Sequence, residues 1–444
     1  MGQNSGAVMV VVVHTGGPLH QYTASAVLLL QNARGKKQFW HQSSHFRRIL
    51  LPFYSFIATF FGMRVSTVFV IALMAISVSA CAQQFSGTGS FELPAETDSG
   101  VAFSTETVVD GLVNPWGMVF LPGDEGILVS ERAGRLRIVR NGELDPDPVS
   151  GLPQIATPGQ GGLLDVALHP DFVDNRLVYF SYTKSGTNGA TTAVARGVLQ
   201  GSSLEDVEDL FVADAWGSGG RHFGSRILLQ GDYLYVTIGD RGEMNRAQNL
   251  EDHAGTTVRL YLDGSVPSDN PFVGSPNIRD EIYTYGNRNS QGMVAHPDTG
   301  QIWQSEHGPR GGDEINIVMT GGNYGWPEYR YANHYDGREI PDYNPDGDIQ
   351  RPLVDWTPAI APAGITFYTG DAFPEWQGDL FVSSLVDRHL QRVRFDGTTP
   401  VEIERLLEER GDRIRHVVTG PDGYLYLLVD ASSAPLLRLV PASE

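Results

Sequence analysis

Six copies of a strand–turn–strand unit run along residues 116–430. Each copy has an apolar segment, a tight turn rich in Pro, Asp and Gly, and a second apolar segment that ends near charged residues. The copies read WGMVFLPGDEGILVSERAGRLRIV, GLLDVALHPDFVDNRLVYFSYT, SRILLQGDYLYVTIGDRG, GMVAHPDTGQIWQSEHG, GITFYTGDAFPEWQGDLFVSSL and RHVVTGPDGYLYLLVD. Such repeated units are typical of propeller blades, so the sequence predicts an all-β, six-bladed β-propeller. Uneven spacing predicts long loops on one face, where binding sites concentrate; a pair of β-sandwiches is the alternative.

The charge of the chain is strongly uneven. The first 80 residues contain six Lys or Arg and no Asp or Glu, so the remaining residues hold 26 Lys and Arg against 52 Asp and Glu, a net charge of −26. A surface this acidic repels phosphate backbones, which argues against nucleic-acid binding. With 444 residues, 41% of them hydrophobic, the chain is long enough for one large repeat domain or two ordinary ones.

The single cysteine, Cys81, excludes an intrachain disulfide and follows a segment typical of a leader. That segment, MRVSTVFVIALMAISVSACAQQ, has Arg64, an apolar run from Val65 to Val78 and small residues before the cysteine. This is the pattern of a signal peptide, and its V-S-A-C ending resembles a bacterial lipobox, whose cysteine is lipidated after cleavage. A transmembrane anchor is the alternative, although the run is short for a full span.

These features predict four regions of the chain. Residues 1–62 are expected to be an upstream extension outside the fold, with an extra membrane segment as the alternative. Residues 63–80 would be the signal peptide, 81–100 a polar tether, and 101–444 the propeller domain. The expected location is the periplasm or cell envelope, with membrane contact only through a lipid on Cys81. Monomer and homodimer both remain open.

Five clusters of polar residues follow or separate the predicted strands. They contain, in chain order, Gln160; His222 and Asp240; Arg288 and Asn289; Gly308, Pro309, Glu314 and Tyr324; and Arg413 and Arg415. Each cluster alone is weak evidence, since His222 could be an ordinary histidine in a surface loop. Together they predict a site for an anionic ligand, because arginines bind carboxylates through paired hydrogen bonds. Carbonyls of the HGP turn and nearby oxygen side chains suit Ca²⁺, and a histidine oriented by an aspartate suits general-base chemistry.

The order of these segments resembles one enzyme family. The segments are GQGGLLDVALHPDF, RHFGSR, TIGDRG, GNRNSQG, SEHGPRGGDEIN, NYGWP and RIRHVVTGPDGYLY. They are similar to those of the soluble aldose sugar dehydrogenases that use pyrroloquinoline quinone (PQQ), relatives of soluble quinoprotein glucose dehydrogenase. The resemblance covers about residues 105–440. It implies a six-bladed propeller with PQQ in a cleft on one face, Ca²⁺ beside it, and oxidation of an aldose at C1 to the lactone with transfer of electrons to an acceptor.

The resemblance also implies a role for each cluster. His222 would be the catalytic base that takes the proton of the C1 hydroxyl, and Asp240 would orient it and raise its pKa by favouring the imidazolium. Arg288, which also counts among the catalytic residues, would hold the quinone carbonyl oxygens together with Asn289. The other PQQ contacts would be Gln160, Tyr335, Arg413 and Arg415, and the Ca²⁺ contacts would be Gly308, Pro309, Glu314 and Tyr324.

The sequence departs from the family pattern at one position. Val386 stands in SSLVDRHLQRV where the family usually has a lysine that contacts PQQ. Arg388 could substitute, but two residues along a strand correspond to roughly 6.6 Å. More of the PQQ binding would then fall to Arg413 and Arg415, since PQQ carries three carboxylates and an acidic protein needs clustered arginines to bind it.

Two other functions compete with sugar oxidation. A calcium-dependent propeller lactonase or esterase would centre its site on carboxylates in the central channel, without an arginine cluster. A non-catalytic, surface-anchored carbohydrate-binding propeller would not need the pair of His222 and Asp240.

Overall fold

The computed structural model describes three strands near the N-terminus and residues 93–340 and 348–442. The chain divides into two compact units, Met1–Gly87 and Thr88–Glu444. In the first unit, β1 (Ala7–His14), β2 (Thr23–Gln31) and β3 (Lys37–His45) form an antiparallel sheet. The predicted signal peptide, Cys81 and residues 81–92 of the tether lie outside the described residues. No helix in the described part is long and apolar enough to cross a membrane.

The second unit consists of six four-stranded antiparallel sheets, which confirms the predicted six-bladed propeller. In chain order, the strands are β4 (Phe103–Leu112), β5 (Pro115–Leu121), β6 (Gly126–Glu131), β7 (Arg135–Arg140) and β8 (Glu143–Leu144); β9 (Leu163–Leu168), β10 (Leu177–Gly186), β11 (Gly189–Gln200) and β12 (Ser203–Val212); β13 (Ile227–Gln230), β14 (Tyr233–Ile238), β15 (Thr256–Tyr261) and β16 (Ile282–Tyr285); β17 (Ser290–Ala295), β18 (Ile302–Glu306), β19 (Asp313–Ile317) and β20 (Val354–Trp356); β21 (Pro362–Phe367), β22 (Leu380–Ser384), β23 (Leu390–Asp396) and β24 (Thr399–Leu406); and β25 (Ile414–Thr419), β26 (Leu425–Val429) and β27 (Ala434–Pro441). The described helices are short: an α-helix, Phe172–Asn175, and 3₁₀ turns at Pro122–Asp124, Met244–Gln248, Pro374–Trp376 and Glu408–Arg410.

The last blade is closed by a strand from the beginning of the propeller. Blades 1 to 5 are β5–β8, β9–β12, β13–β16, β17–β20 and β21–β24, and blade 6 joins β25, β26 and β27 to β4. In that pairing Phe103 lies opposite Pro441, and Ala434 opposite Leu112. Pairing the two ends of the propeller in one sheet closes the ring, because blade 6 then has four strands like the other five blades.

The core lies between neighbouring blades. The strand β26 is buried along its whole length, and Trp376, Phe381 and Leu427 meet in the cluster that joins blades 5, 6 and 1. Full burial of one large apolar side chain contributes about 1.5–3 kcal/mol, so these layers hold the ring together.

The first strands of the six blades contact one another around the ring. Residues that lie just before or at the start of these strands therefore meet at one end of the propeller. Gln160 precedes β9, His222 precedes β13, Arg288 precedes β17, and Arg413 precedes β25. Polar clusters far apart in the sequence come together at this end.

Candidate active site

A cavity of about 270 Å³ opens at this end of the propeller. Eight of the twelve residues predicted for the site line it, namely Gln160, His222, Arg288, Gly308, Pro309, Tyr335, Arg413 and Arg415. The other lining residues are Trp116, Arg132, Gln291, His307, Asp313, Ala359, Ala361, Leu385, Val386 and Asp430. The cavity thus combines four arginines, two histidines and two acids with several apolar side chains.

His222 and Asp240 form a short hydrogen bond at the wall of the cavity. His222 Nδ1 lies 2.6 Å from Asp240 Oδ1, and Gln160 Oε1 accepts the backbone N–H of His222 over 2.8 Å. The backbone of His222 has a φ of 53°, in the left-handed region. A Cβ at Gly239 would lie 2.1 Å from the His222 carbonyl oxygen, so the loop can pass this close to the end of β14 only because residue 239 is glycine.

The pKa of His222 lies below its ordinary value of 6.5. Burial is the largest cause, and the positive charges of Arg288 and Arg221 act in the same direction. The Asp240 carboxylate opposes the shift but is outweighed. Asp240 thus raises the pKa as the sequence predicted, but the net shift is downward because of the burial of the ring and its arginine neighbours, which the sequence did not reveal. A histidine shifted downwards is neutral at neutral pH, and with Nδ1 held by Asp240, Nε2 is the nitrogen left to accept a proton.

Asp240 is almost completely buried, with 1% exposure, and the groups bonded to its carboxylate all donate to it. Its Oδ1 also accepts the backbone N–H of Gly242 over 2.6 Å, and its Oδ2 accepts the indole N–H of Trp326 over 2.8 Å. Burial alone would raise the pKa of Asp240, but the His222 imidazole, the Gly242 N–H and Arg288 hold it below its ordinary value. Asp240 is therefore an ionised acceptor, and His222 Nδ1 carries the shared proton.

Arginines give the cavity a positive wall. Arg413 and Arg415 each lie 3.2 Å from Asp430 Oδ2, and Arg415 Nη1 donates to Gln291 Oε1 over 2.7 Å. Burial lowers the pKa of Arg415 to about 10, against the attraction of Asp430, so it remains charged at neutral pH. Its side chain is 8% exposed, whereas that of Arg413 is 38% exposed. The two arginines share one carboxylate, which leaves a surplus of positive charge on this side.

Arg288 lies between blades 3 and 4, whereas Arg413 and Arg415 lie at the first strand of blade 6. Its guanidinium carbon is 5.4 Å from the centre of the Trp326 ring, and its Nη2 is 3.4 Å from the hydroxyl of Tyr335. Its backbone N–H donates to the buried Glu306 over 2.6 Å. Both the backbone and the side chain of Arg288 are thus fixed by neighbours before any ligand binds.

The turn that follows β18 is held in place by Asp313. Its two carboxylate oxygens accept the backbone N–H groups of Gly308 and Ala361, each over 2.6 Å. Burial raises the pKa of Asp313 to about 6. Gly308 and Pro309 both line the cavity, so their backbone carbonyls are candidate oxygen ligands for a cation.

Four predicted residues do not line the cavity. Asp240 lies behind His222, and Asn289 uses its Oδ1 to accept the backbone N–H of Gly224 over 3.1 Å. Glu314 forms an ion pair with Arg330 at 3.2 Å, and the Tyr324 hydroxyl donates to the carbonyl of Ile317. The side chains of Glu314 and Tyr324 are thus committed elsewhere, and no group of three or more His, Cys, Asp or Glu side chains that could hold a metal occurs in the described part of the chain.

Val386, which stands at the usual lysine position, lines the cavity and is 62% exposed. Arg388 is not among the lining residues, and its Nη1 donates to the carbonyl of Gly411 over 3.3 Å. The structure therefore does not place Arg388 where it could replace the missing lysine.

Sequence reasoning missed several residues of the site. Gln291, His307 and Trp326 lie inside the quoted motifs GNRNSQG, SEHGP and NYGWP, so proximity to a motif was an available signal. Arg132 and Asp430 are in blades 1 and 6 and carry no motif of their own. They lie in the same cavity because blades 1 and 6 become neighbours when the ring closes.

Comparison with known proteins decides the family. The family model of glucose and sorbosone dehydrogenases matches residues 112–438, nearly the whole propeller. The chain belongs to this family. It is 42% identical to aldose sugar dehydrogenase YliI of Escherichia coli over 346 residues, which cover 76% of this chain and 93% of the relative. It is 28% identical to quinoprotein glucose dehydrogenase B of Acinetobacter calcoaceticus over 417 residues, which cover 74% of this chain and 86% of that one.

A solved structure of the family matches the whole propeller. The PQQ-bound form of the aldose sugar dehydrogenase from Streptomyces coelicolor superposes with a TM-score of 0.63 at 27% identity, covering 79% of this chain and 99% of that chain. The resemblance seen in the motifs is thereby confirmed at the level of family and fold.

Proposed function

We propose that this protein is a PQQ-dependent aldose dehydrogenase that oxidises sugars at C1 to lactones, with His222 as general base. Membership of the sugar dehydrogenase family supports oxidation of an aldose. The observation that carries the finer proposal is the hydrogen bond between His222 and Asp240 in a cavity that also contains four arginines. A proton acceptor and an anion-binding wall in one cavity suit a sugar hydroxyl and a tricarboxylate together.

The residues of the cavity fit PQQ. Arg132, Arg413 and Arg415 would provide cationic donors for its carboxylates, and Arg288 and Tyr335 would provide donors for its carbonyl oxygens. When bound, PQQ would accept the hydride and its two electrons from C1 of the sugar and pass the electrons to a separate acceptor. Gln160 lies beside His222 and lines the same cavity, whereas the predicted contact from Asn289 stays a prediction, since its side chain does not line the cavity.

Ca²⁺ would bind through the carbonyls of Gly308 and Pro309. These carbonyls belong to a turn that Asp313 holds at the cavity. Hard oxygen ligands suit this ion, and its charge would polarise a bound quinone. The proposed roles of Glu314 and Tyr324 as further ligands stay predictions, since their side chains do not line the cavity.

His222 performs the proton transfer in this account. Its Nε2 takes the proton of the C1 hydroxyl as the C1–H bond breaks, and the ring becomes an imidazolium. The buried Asp240 carboxylate stabilises that cation through Nδ1 and keeps the ring from turning. Arg288, held beside Trp326, keeps positive charge near the reacting atoms.

The proposed location is the cell envelope, with a lipid on Cys81. The support is the leader pattern of residues 63–81 alone. Intact mass of the membrane fraction should show a diacylated chain that lacks residues 1–80. An unmodified Cys81 in a soluble full-length chain would contradict this part of the proposal.

One experiment tests the proposed reaction. PQQ and Ca²⁺ are added to purified apoprotein, and the quinone absorbance is followed while aldoses are added. Bleaching of the absorbance, with formation of the lactone, is expected. Tight binding of PQQ without bleaching by any aldose, or hydrolysis of lactones without PQQ, would contradict the proposal and favour a lactonase or a binding protein.

A further inference from the structure

Trp326 contacts the carboxylate oxygen of Asp240 that His222 leaves free. Its indole Nε1 donates to Oδ2 over 2.8 Å, while His222 Nδ1 donates to Oδ1 over 2.6 Å. Trp326 is 3% exposed and Asp240 is 1% exposed, so water does not compete for this bond. An indole N–H can only donate, and the contact therefore requires Oδ2 to be the acceptor.

The indole has little freedom to move. The backbone N–H of Trp326 donates to the carbonyl of Gly286 over 2.9 Å, and its carbonyl accepts Gln248 Nε2 over 2.8 Å. Its ring packs in a buried cluster with Ala247 and Ile340. A side chain anchored in this way can hold a carboxylate in one orientation.

A positive charge acts on the same carboxylate. The Arg288 guanidinium carbon lies 5.4 Å from the centre of the Trp326 ring, and the charge of Arg288 lowers the pKa of Asp240. His222 is faced by Arg288 and Arg221 as well as by Asp240. Without the indole on Oδ2, only the two donors on Oδ1, His222 and the Gly242 N–H, would oppose a turn of the carboxylate towards the Arg288 guanidinium, since charged donors attract carboxylates strongly.

We propose that Trp326 is a positioning residue that acts on His222 through Asp240. By occupying Oδ2 it keeps Oδ1 on His222 Nδ1, and so keeps the imidazole in the tautomer whose Nε2 is free to accept a proton. The inference extends the pair of His222 and Asp240 to a third member and rests on the proposed role of His222 as base.

The first test removes the indole N–H and keeps an aromatic ring. Trp326→Phe should lower kcat about tenfold, equivalent to about 1.4 kcal/mol, and leave KM within about a factor of two. Trp303→Phe is the matched control, because Trp303 is 1% exposed and its Nε1 has no hydrogen-bond partner in the described part of the chain. Equal losses of kcat in the two variants would overturn the inference.

The second test separates positioning from packing. In an Asp240→Ala background the target of the indole is gone, so adding Trp326→Phe should change kcat by less than about a factor of two. A tenfold loss in both backgrounds would show that Trp326 supports the site by packing and not through Asp240.

The third test needs neither PQQ nor turnover. In the apoprotein, nitrogen NMR should show His222 in a single tautomer with the proton on Nδ1, and Trp326→Phe should give a mixture of the two tautomers.

If that variant does not fold, the indole N–H signal of Trp326 in the parent should shift as His222 titrates, and it should stay constant in His222→Gln. An indole N–H signal that does not shift when His222 titrates would overturn the inference. The same signals in a parent that oxidises no aldose would reject the proposed reaction and leave the positioning role standing.

Discussion

Two carboxylates on different blades support the cavity and serve different partners: Asp240 lies behind its wall, and Asp430 is part of its lining. Asp240 is bonded to the neutral His222 at 2.6 Å and has a second donor in Trp326. Asp430 shares one oxygen between Arg413 and Arg415, each at 3.2 Å. The first arrangement holds a proton acceptor in one orientation, whereas the second holds two permanent cations and leaves positive charge in excess. An aspartate thus supports proton transfer on one side of the cavity and anion binding on the other.

The comparison predicts the largest loss on the side of Asp240. Asp240→Asn places an amide where two donors, His222 Nδ1 and Trp326 Nε1, both require acceptors. Either orientation of the amide sets donor against donor or forces the wrong tautomer of His222. We expect kcat to fall about 10²-fold while PQQ affinity is retained, as measured by steady-state kinetics and PQQ titration. A normal kcat would show that the orientation of His222 does not depend on this carboxylate.

Substitutions of the arginines bound to Asp430 should lower the affinity for PQQ and leave the rate of the chemical step unchanged. Arg415→Ala should weaken PQQ binding by about 1.5–3 kcal/mol, the contribution of one hydrogen bond to a charged group. Arg413→Ala should cost less, because its more exposed side chain is screened by solvent. Both changes should leave kcat at saturating PQQ near the parental value.

Arg388→Ala is the matched control for these two variants, because Arg388 does not line the cavity. Isothermal titration with PQQ measures the difference between the three. Equal affinities for the parent and Arg415→Ala would remove this wall from the binding site.

The pH dependence sharpens the contrast further. Because the pKa of His222 lies below 6.5, the base form is present at neutral pH and is lost only as pH falls through the lowered value. In the apoprotein, NMR titration should therefore place the His222 midpoint below 6.5. A midpoint above 6.5 would mean that Asp240 dominates over burial and the arginines, contrary to the structure.

The smallest expected effect is an increase in PQQ affinity when Val386 is replaced by lysine. Val386→Lys restores a cation at an exposed position of the cavity lining and should strengthen PQQ binding by about 0.2–1 kcal/mol. Val401→Lys on β24 is the control, since Val401 is 43% exposed and lies outside the lining. A gain of equal size in both would reflect the general charge of this acidic protein and not a contact in the cavity.

The blades were predictable because each repeated unit is a local hairpin. β5 and β6, or β25 and β26, pair across turns of a few residues, and the alternation of apolar segments and Gly- or Asp-rich turns is visible in the sequence. The closure of the ring was not predictable in this way. Phe103 pairs opposite Pro441, and no local pattern links two segments so far apart.

The site was predictable only where a motif marked it. His222, Arg288 and the HGP turn lie in distinctive segments, whereas Asp430 follows an ordinary strand. The bond from Trp326 to Asp240 joins blade 4 to blade 3, and the lowered pKa of His222 depends on burial and on Arg221 and Arg288. These are properties of the folded arrangement, and one-dimensional patterns do not contain them.

The central claim is that His222 accepts the proton during sugar oxidation, and single-turnover reduction of bound PQQ tests it most directly. His222→Gln should still bind PQQ, because the arginines lie on other blades. At saturating aldose its rate of quinone reduction should fall by roughly 10²–10⁴-fold, the usual contribution of a positioned general base. Reduction of bound PQQ at nearly the parental rate would contradict the account.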